Sequence, residues 1–394
     1  MMRPGWMGLN GNATITREGE PFMTSKERMM IALHKGRPDR LPVSVHQWQG
    51  YHLDRYLKGI SALEAFQLFG MDAQIQYFED MGQFWKIDAD FTRCSSPEWQ
   101  DDVTVVSNDP DNRVCHHSIR TPEGTLTFKT QGNLKTTWMT EYLIKHDEDI
   151  FLIEKYMPVP RLNPAPVVRV YDEVGDKGIL RGFVWGDQAG CWQHACCLMD
   201  ATELILRCTD SPDWVHALLG ILLRKKLQFI ESMNGAKFDL IETGGGAASS
   251  TLISPKIHSQ FCLPYDRDMH KALHELGFLI TYHTCGGTRG IEELIVANGT
   301  DVSETLAPKS IGGNQEPWDF KNRIGNRLAL IGGVDQYSVV SDGPPAKIRA
   351  TVRELFEKVG SEGGYICCLS DHFFETPPEN LRVFAEAARE CTYA

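Results

Sequence analysis

Phe278-Leu279-Ile280-Thr281-Tyr282-His283-Thr284-Cys285-Gly286-Gly287 is a run of five β-prone residues that ends abruptly in a histidine, a cysteine and two glycines. Such a run reads as a buried strand breaking into a loop, which puts His283 and Cys285 at the strand's end. Side chains two apart on an extended chain point the same way. An imidazole and a thiolate converging on one point suit zinc better than magnesium or calcium, which prefer oxygen ligands. A buried histidine beside an inert, apolar cysteine is the plainer reading of a bare His-x-Cys, and the rest of the chain decides between the two.

Working outward, residues 238–242 form a strand that ends in Glu242-Thr243-Gly244-Gly245-Gly246, and Ser254-Pro255 opens a helix running to 276. Downstream come a helix over 290–297, strands over 301–306, 328–333 and 364–369, a helix over 345–359 and a closing helix over 378–390. Towards the N-terminus, strands fall at 41–46, 72–78 and 178–185, with helices at 25–34 and 62–69 and long helical patterns within 202–234. Eight strands, each followed by a helix or an insertion, spell a (β/α)8 TIM barrel, with a doubly wound open sheet as the rival. The barrel is preferred because polar and ligand-type residues recur at strand ends: His46, Asp187, Glu242, His283, Cys285, Glu304, Asp335, Asp371 and His372. In a barrel those ends share one mouth.

Residues 87–165 break the rhythm with alternating stretches such as Thr125-Leu126-Thr127-Phe128, punctuated by Asp109-Pro110 and Pro122-Glu123-Gly124. They read as an antiparallel β insertion after the second strand. The expected organisation is one barrel domain over 23–394 behind a disordered leader, 1–22. At 394 residues, 42% hydrophobic and 23% charged, with a net charge of −12, the chain is that of a soluble acidic protein. That balance argues against nucleic acid or an anionic membrane as a partner and for a small molecule or another protein; a homodimer is allowed. Eleven cysteines without regular spacing, two adjacent pairs among them, fit a reducing cytoplasm. No apolar run reaches the roughly 18 residues of a membrane span, and the opening residues carry no continuous apolar leader core.

Around the barrel mouth the last strand offers the pair a third partner. Cys368, Asp371 and His372 are all candidates, and three protein ligands with one open position is the usual catalytic zinc arrangement. Glu242 reads as a general acid, a partner behind a ligand, or a cap of the following segment. The triple glycine lacks the Gly-Lys-Ser/Thr of a phosphate loop, so it reads as close backbone access for a substrate or cofactor. His46, Gln47, Trp185, Asp187 and Asp335 are the substrate-binding candidates. Against them stand a core role for Trp185 and Trp192 and a turn role for Asp335. Cys191, Cys196 and Cys197 read as structural thiols.

Several motifs carry a resemblance. Thr24-Ser25-Lys26-Glu27-Arg28 through Gly36-Arg37-Pro38-Asp39-Arg40-Leu41-Pro42-Val43 are its first part. Ile253-Ser254-Pro255 with Pro264-Tyr265, His283-Thr284-Cys285-Gly286, and Thr376-Pro377-Pro378-Glu379-Asn380-Leu381 complete it. Together they resemble the uroporphyrinogen decarboxylase superfamily over 23–394. The resemblance implies a (β/α)8 barrel and one of two activities: a metal-free decarboxylase, or a zinc-dependent methyltransferase working with a corrinoid protein. The decarboxylases carry an arginine-rich segment after the first strand, whereas His46-Gln47-Trp48-Gln49 stands here; the methyltransferases carry His-x-Cys-Gly, as at His283–Gly286. The expected activity is therefore methyl transfer between a small methylated compound, such as a methoxyaromatic, and a corrinoid protein, as in an O-demethylase. A coenzyme M type thiol acceptor is the alternative. The chain lacks the Asp-x-His-x-x-Gly cobalamin signature, so the corrinoid is expected on a partner. Zinc would sit on His283, Cys285 and a third ligand that the resemblance places near Ser370 or Asp371. The softer Cys368 is preferred, with Asp371 next, and Glu242, Asp371 or His372 would handle the proton.

Overall fold

The computed structural model describes residues 23–77, 96–186 and 190–393. The expected leader, 1–22, and the first part of the expected insertion lie outside them, as do Phe78 at the end of the second strand and Asp187. Twelve strands are described, and eight form one parallel sheet: β1 (Val43–Ser44), β2 (Ala73–Gln76), β7 (Gly178–Phe183), β8 (Leu240–Gly244), β9 (Ile280–His283), β10 (Val302–Thr305), β11 (Ala329–Val334) and β12 (Tyr365–Leu369). Their order is β1-β12-β11-β10-β9-β8-β7-β2. The two ends of that order meet at a seam where the Asp72 amide donates to the Val43 carbonyl (2.7 Å) and the Val43 amide donates to the Asp72 carboxylate (3.0 Å). Arg28 and Arg40 donate to the same carboxylate at 2.7 and 2.9 Å, so its buried charge is paired. The sheet with its flanking helices is a (β/α)8 barrel.

The strands carry near-continuous apolar runs because both faces are covered, one by helices and one by the barrel interior. Helix Ser25–Leu33 plugs the bottom, where Met29, Ala32 and Leu33 meet the inward-facing Ile179, Leu240, Val302, Ala329 and Ile366. Its Thr24 and Glu27 form the reciprocal cap expected of a helix start. Alternation along β12 sends Cys367 outward to the helix packing and Cys368 inward.

The remaining strands, β3 (Gln100–Asp109), β4 (Asn112–Thr121), β5 (Gly124–Gly132) and β6 (Thr137–Glu141), form a separate antiparallel sheet in sequence order. Its inner residues Ile119, Leu126 and Phe128 share one hydrophobic cluster with helices Cys191–Leu198 and Pro212–Ser232 of the barrel.

Element boundaries differ from expectation where tertiary contacts intervene. Helices Gly50–Leu57, Asp149–Tyr156 and Pro164–Val174 were not legible, because their stretches are short and two of them carry glycine or proline. The helix expected from 254 is continuous in path but widens to a π-turn over His258–Cys262. The helical stretch 202–234 divides at Ser211, before Pro212.

Candidate metal centre

Inward-facing residues at the carboxyl ends of the strands build the mouth. β9 ends on His283, which is fully buried, and Cys285 follows two residues later. β8 contributes Glu242, β10 Glu304 and β7 Arg181, all at most 1% exposed. Arg181 Nη2 donates to Glu242 Oε2 and Glu304 Oε1, both at 2.7 Å, and its Nη1 donates to Gln74 Oε1 at 3.0 Å. His283 Nδ1 lies 3.1 Å from Glu304 Oε1 and 3.4 Å from Glu242 Oε1. The carboxylates thus hold the Nδ1 edge of the imidazole, and Nε2 is the nitrogen a metal would take. A carboxylate behind a ligating histidine fixes its tautomer and raises its basicity.

The charges are uneven. Burial lifts the Glu242 carboxyl to about 7, and neighbouring Glu304 adds to the lift against the pull of Arg181. For Glu304 burial acts in the same sense, but Arg181 and His283 outweigh it and hold the carboxyl well below its ordinary range. Burial pushes the Cys285 thiol up, and His283 opposes it. Burial takes His46 down to about 3, with His283 and His372 adding to the effect, so its imidazole is neutral.

Among the described residues, three groups of ligand-type side chains bring one ligand atom each within 4.8 Å of one another. The first, His46, Glu242, His283 and Glu304, already encloses the Arg181 guanidinium, which supplies the cation its carboxylates require. The second is His283, Cys285 and Asp371. One imidazole nitrogen, one sulfur and one carboxylate oxygen form a donor set that suits zinc, with the imidazole oriented from behind. The third is His46, Asp371 and His372.

Cys368, the preferred third ligand, does not join His283 and Cys285. It faces the barrel interior below them, fully buried, with its sulfur 3.6 Å from Gln74 Nε2 and its thiol raised well above the ordinary value by burial. Asp371 stands at the mouth instead, because the chain needs the residues beyond the strand's end to climb to the level of Cys285. His372 Nε2 lies 3.0 Å from Gln47 Oε1, which joins two of the expected residues at the rim. Asp335 is a turn cap: it accepts from the amides of Tyr337 and Ser338, both at 2.8 Å, and from the Ser338 hydroxyl at 2.6 Å. These local bonds occupy its carboxylate, so it is withdrawn from the substrate-binding set. Trp185 packs in the hydrophobic cluster, its ring 5.1 Å from that of His194. Trp192 donates to the Ala247 carbonyl at 3.0 Å from within the core. Glu242 belongs to the Arg181 network.

The triple glycine also leaves room for His283 and Cys285. A Cβ on Gly246 would meet Cys285 Sγ at 2.6 Å, and one on Gly244 would meet the His283 carbonyl oxygen at 2.6 Å. The loop gives room to the ligand pair. Gly246→Ala is therefore expected to leave the fold intact while displacing the sulfur, lowering zinc affinity about 10-fold in chelator competition. Unchanged affinity would mean that the loop yields instead.

Arg181 was missed, and Glu304 was read only as a strand-end residue. The available signal was Ile179-Leu180-Arg181-Gly182-Phe183, a charge inside a buried strand, which needs a counter-charge nearby.

The family model for uroporphyrinogen decarboxylase (URO-D) matches residues 166–391. A methylated-thiol–coenzyme M methyltransferase of Methanosarcina mazei is 28% identical over 145 residues, 36% of this chain and 36% of that protein. A methylcobamide:CoM methyltransferase, MtbA, of the same organism is 25% identical over 185 residues, 46% of this chain and 50% of that protein. A uroporphyrinogen decarboxylase of Trichodesmium erythraeum is 22% identical over 250 residues, covering 60% and 67%. The chain thus spans between about a third and a half of the length of the two methyltransferases. Among solved structures, a methyltransferase from Methanosarcina mazei superposes with a TM-score of 0.65 at 18% identity, over 94% of this chain and 99% of that one, which establishes the common barrel. With the family's pattern matched over more than half of its residues and the barrel that goes with it, the chain belongs to the uroporphyrinogen decarboxylase family.

Proposed function

We propose that the protein is a zinc-dependent methyltransferase that moves a methyl group between a small methylated compound, of the methoxyaromatic class, and a separate corrinoid protein. The observation that carries the reading is the convergence of His283, Cys285 and Asp371. The methyltransferases among the relatives support it. Zinc held by these three residues would act as a Lewis acid on an oxygen or sulfur atom at the remaining position.

The chain's own residues prepare that position. Glu304 and Glu242 keep the His283 Nδ1 edge engaged, and Arg181 balances both carboxylates, so the imidazole cannot rotate away. Asp371 in place of a second thiolate makes the donor set harder, which favours an oxygen-bound substrate over a thiol acceptor of the coenzyme M type. His372, next to Asp371, is the group that would handle the proton of the leaving oxygen, with Glu242 acting from behind His283.

The decarboxylase reading draws on the decarboxylase relatives. It is disfavoured because a substrate rich in carboxylates would meet Asp371 and Glu242 at the mouth, while Arg181 is already neutralised by two glutamates. In purified protein, stoichiometric zinc and methyl transfer from a methoxyaromatic to cob(I)alamin are expected, with thiols slower as acceptors. Metal-independent release of carbon dioxide from a porphyrinogen would reverse the assignment.

A further inference from the structure

The mouth holds more ligand atoms than one zinc needs. His46, from the end of β1, and Asp371 and His372, beyond β12, bring one ligand atom each within 4.8 Å of one another. They meet where the barrel closes, since β1 pairs directly with β12 at Ser44 and Cys368. Asp371 belongs both to this group and to the His283–Cys285 group, and its carboxylate has an oxygen for each.

His46 is the informative member. It is 3% exposed, and its ring lies 5.0 Å from that of His283 and 5.3 Å from that of His372. A buried imidazole in this place offers a ligand atom to the cluster with Asp371 and His372. His372 is turned by an outer partner: with Nε2 donating to Gln47 Oε1 at 3.0 Å, Nδ1 carries the lone pair, 3.8 Å from Asp371 Oδ1. That is the arrangement of a ligating imidazole set by the shell behind it.

We propose that His46, Asp371 and His372 form a second divalent-cation position, bridged through Asp371 to the one on His283 and Cys285. Two imidazoles and a carboxylate are harder donors than a set with thiolate, and three protein ligands leave room for oxygen donors. A second cation beside the first would hold a carboxylate or phenolate oxygen of the substrate, as paired metals clamp two oxygens of one reactant. The bridge rests on the zinc reading above; the His46–His372 half stands without it.

Cobalt titration of metal-free protein separates the two positions, because a thiolate ligand gives a near-ultraviolet charge-transfer band and a nitrogen-oxygen site does not. Wild type is expected to take up about two equivalents, one with the band and one without. His46→Ala should keep the band and lose the other equivalent, and Cys285→Ser should do the reverse. Saturation of wild type at one equivalent that carries the band, or loss of the band itself in His46→Ala, would overturn the second position. A wild type with no band, but with one equivalent that disappears in His46→Ala, would refute the zinc reading and still support this site.

Discussion

If the centre holds zinc as proposed, Asp371→Ala is expected to lose zinc binding while the barrel stays folded, and Cys368→Ser to bind zinc at the wild-type level. The geometry sets the contrast. Asp371 has an oxygen within 4.8 Å of ligand atoms of both His283 and Cys285, whereas the Cys368 sulfur lies beside Gln74 in the interior. Loss of a direct ligand should weaken zinc by more than about 100-fold, beyond the 10–100-fold typical of changes behind the ligands. His283→Ala and Cys285→Ala belong with Asp371→Ala. All three should unfold near the wild-type temperature once metal is removed, since the apolar clusters that hold the barrel lie elsewhere. Zinc content by elemental analysis, with circular dichroism of the same samples, decides the matter. Zinc retained in Asp371→Ala and lost in Cys368→Ser would return the third ligand to the cysteine.

The second large effect falls on stability. Arg181 is fully buried and pairs with Glu242 and Glu304 at 2.7 Å each. Arg181→Met leaves two carboxylates in the barrel interior without their cation, and breaking a buried pair in this way costs about 3–5 kcal/mol. For a chain of this length that is a fall of roughly 4–6 °C in Tm, best read on metal-free protein so that a bound cation does not mask it. Arg181→Lys should recover only part, because one ammonium cannot fork to both glutamates as the guanidinium does. Adding Glu242→Gln and Glu304→Gln to Arg181→Met should restore part of the loss by removing the unpaired charges. If Arg181→Met melts with wild type, the carboxylates have taken up protons at no cost and the network is not structural.

Much of the architecture was legible because it rests on local rules. Strand-helix alternation, apolar strands and the turn residues between them specified eight parallel strands, and the period-2 pattern of Thr125-Leu126-Thr127-Phe128 marked the antiparallel sheet. The residue pair His283 and Cys285 was readable for the same reason: two positions on an extended chain share a side, whatever the rest of the molecule does. Alternation also separates Cys367 from Cys368, one outward and one inward. What alternation does not contain is depth. Whether an inward side chain reaches the mouth or stays in the interior depends on strand tilt, register and the path of the following loop. That is why, of Cys368 and Asp371, three residues apart, it is Asp371 that stands beside His283 and Cys285. The same limit hid Arg181: its meaning lies in two glutamates from strands far along the chain, brought within 2.7 Å only when the sheet closes. Sequence fixes the direction in which each side chain leaves its strand; only the closed barrel decides which of them meet.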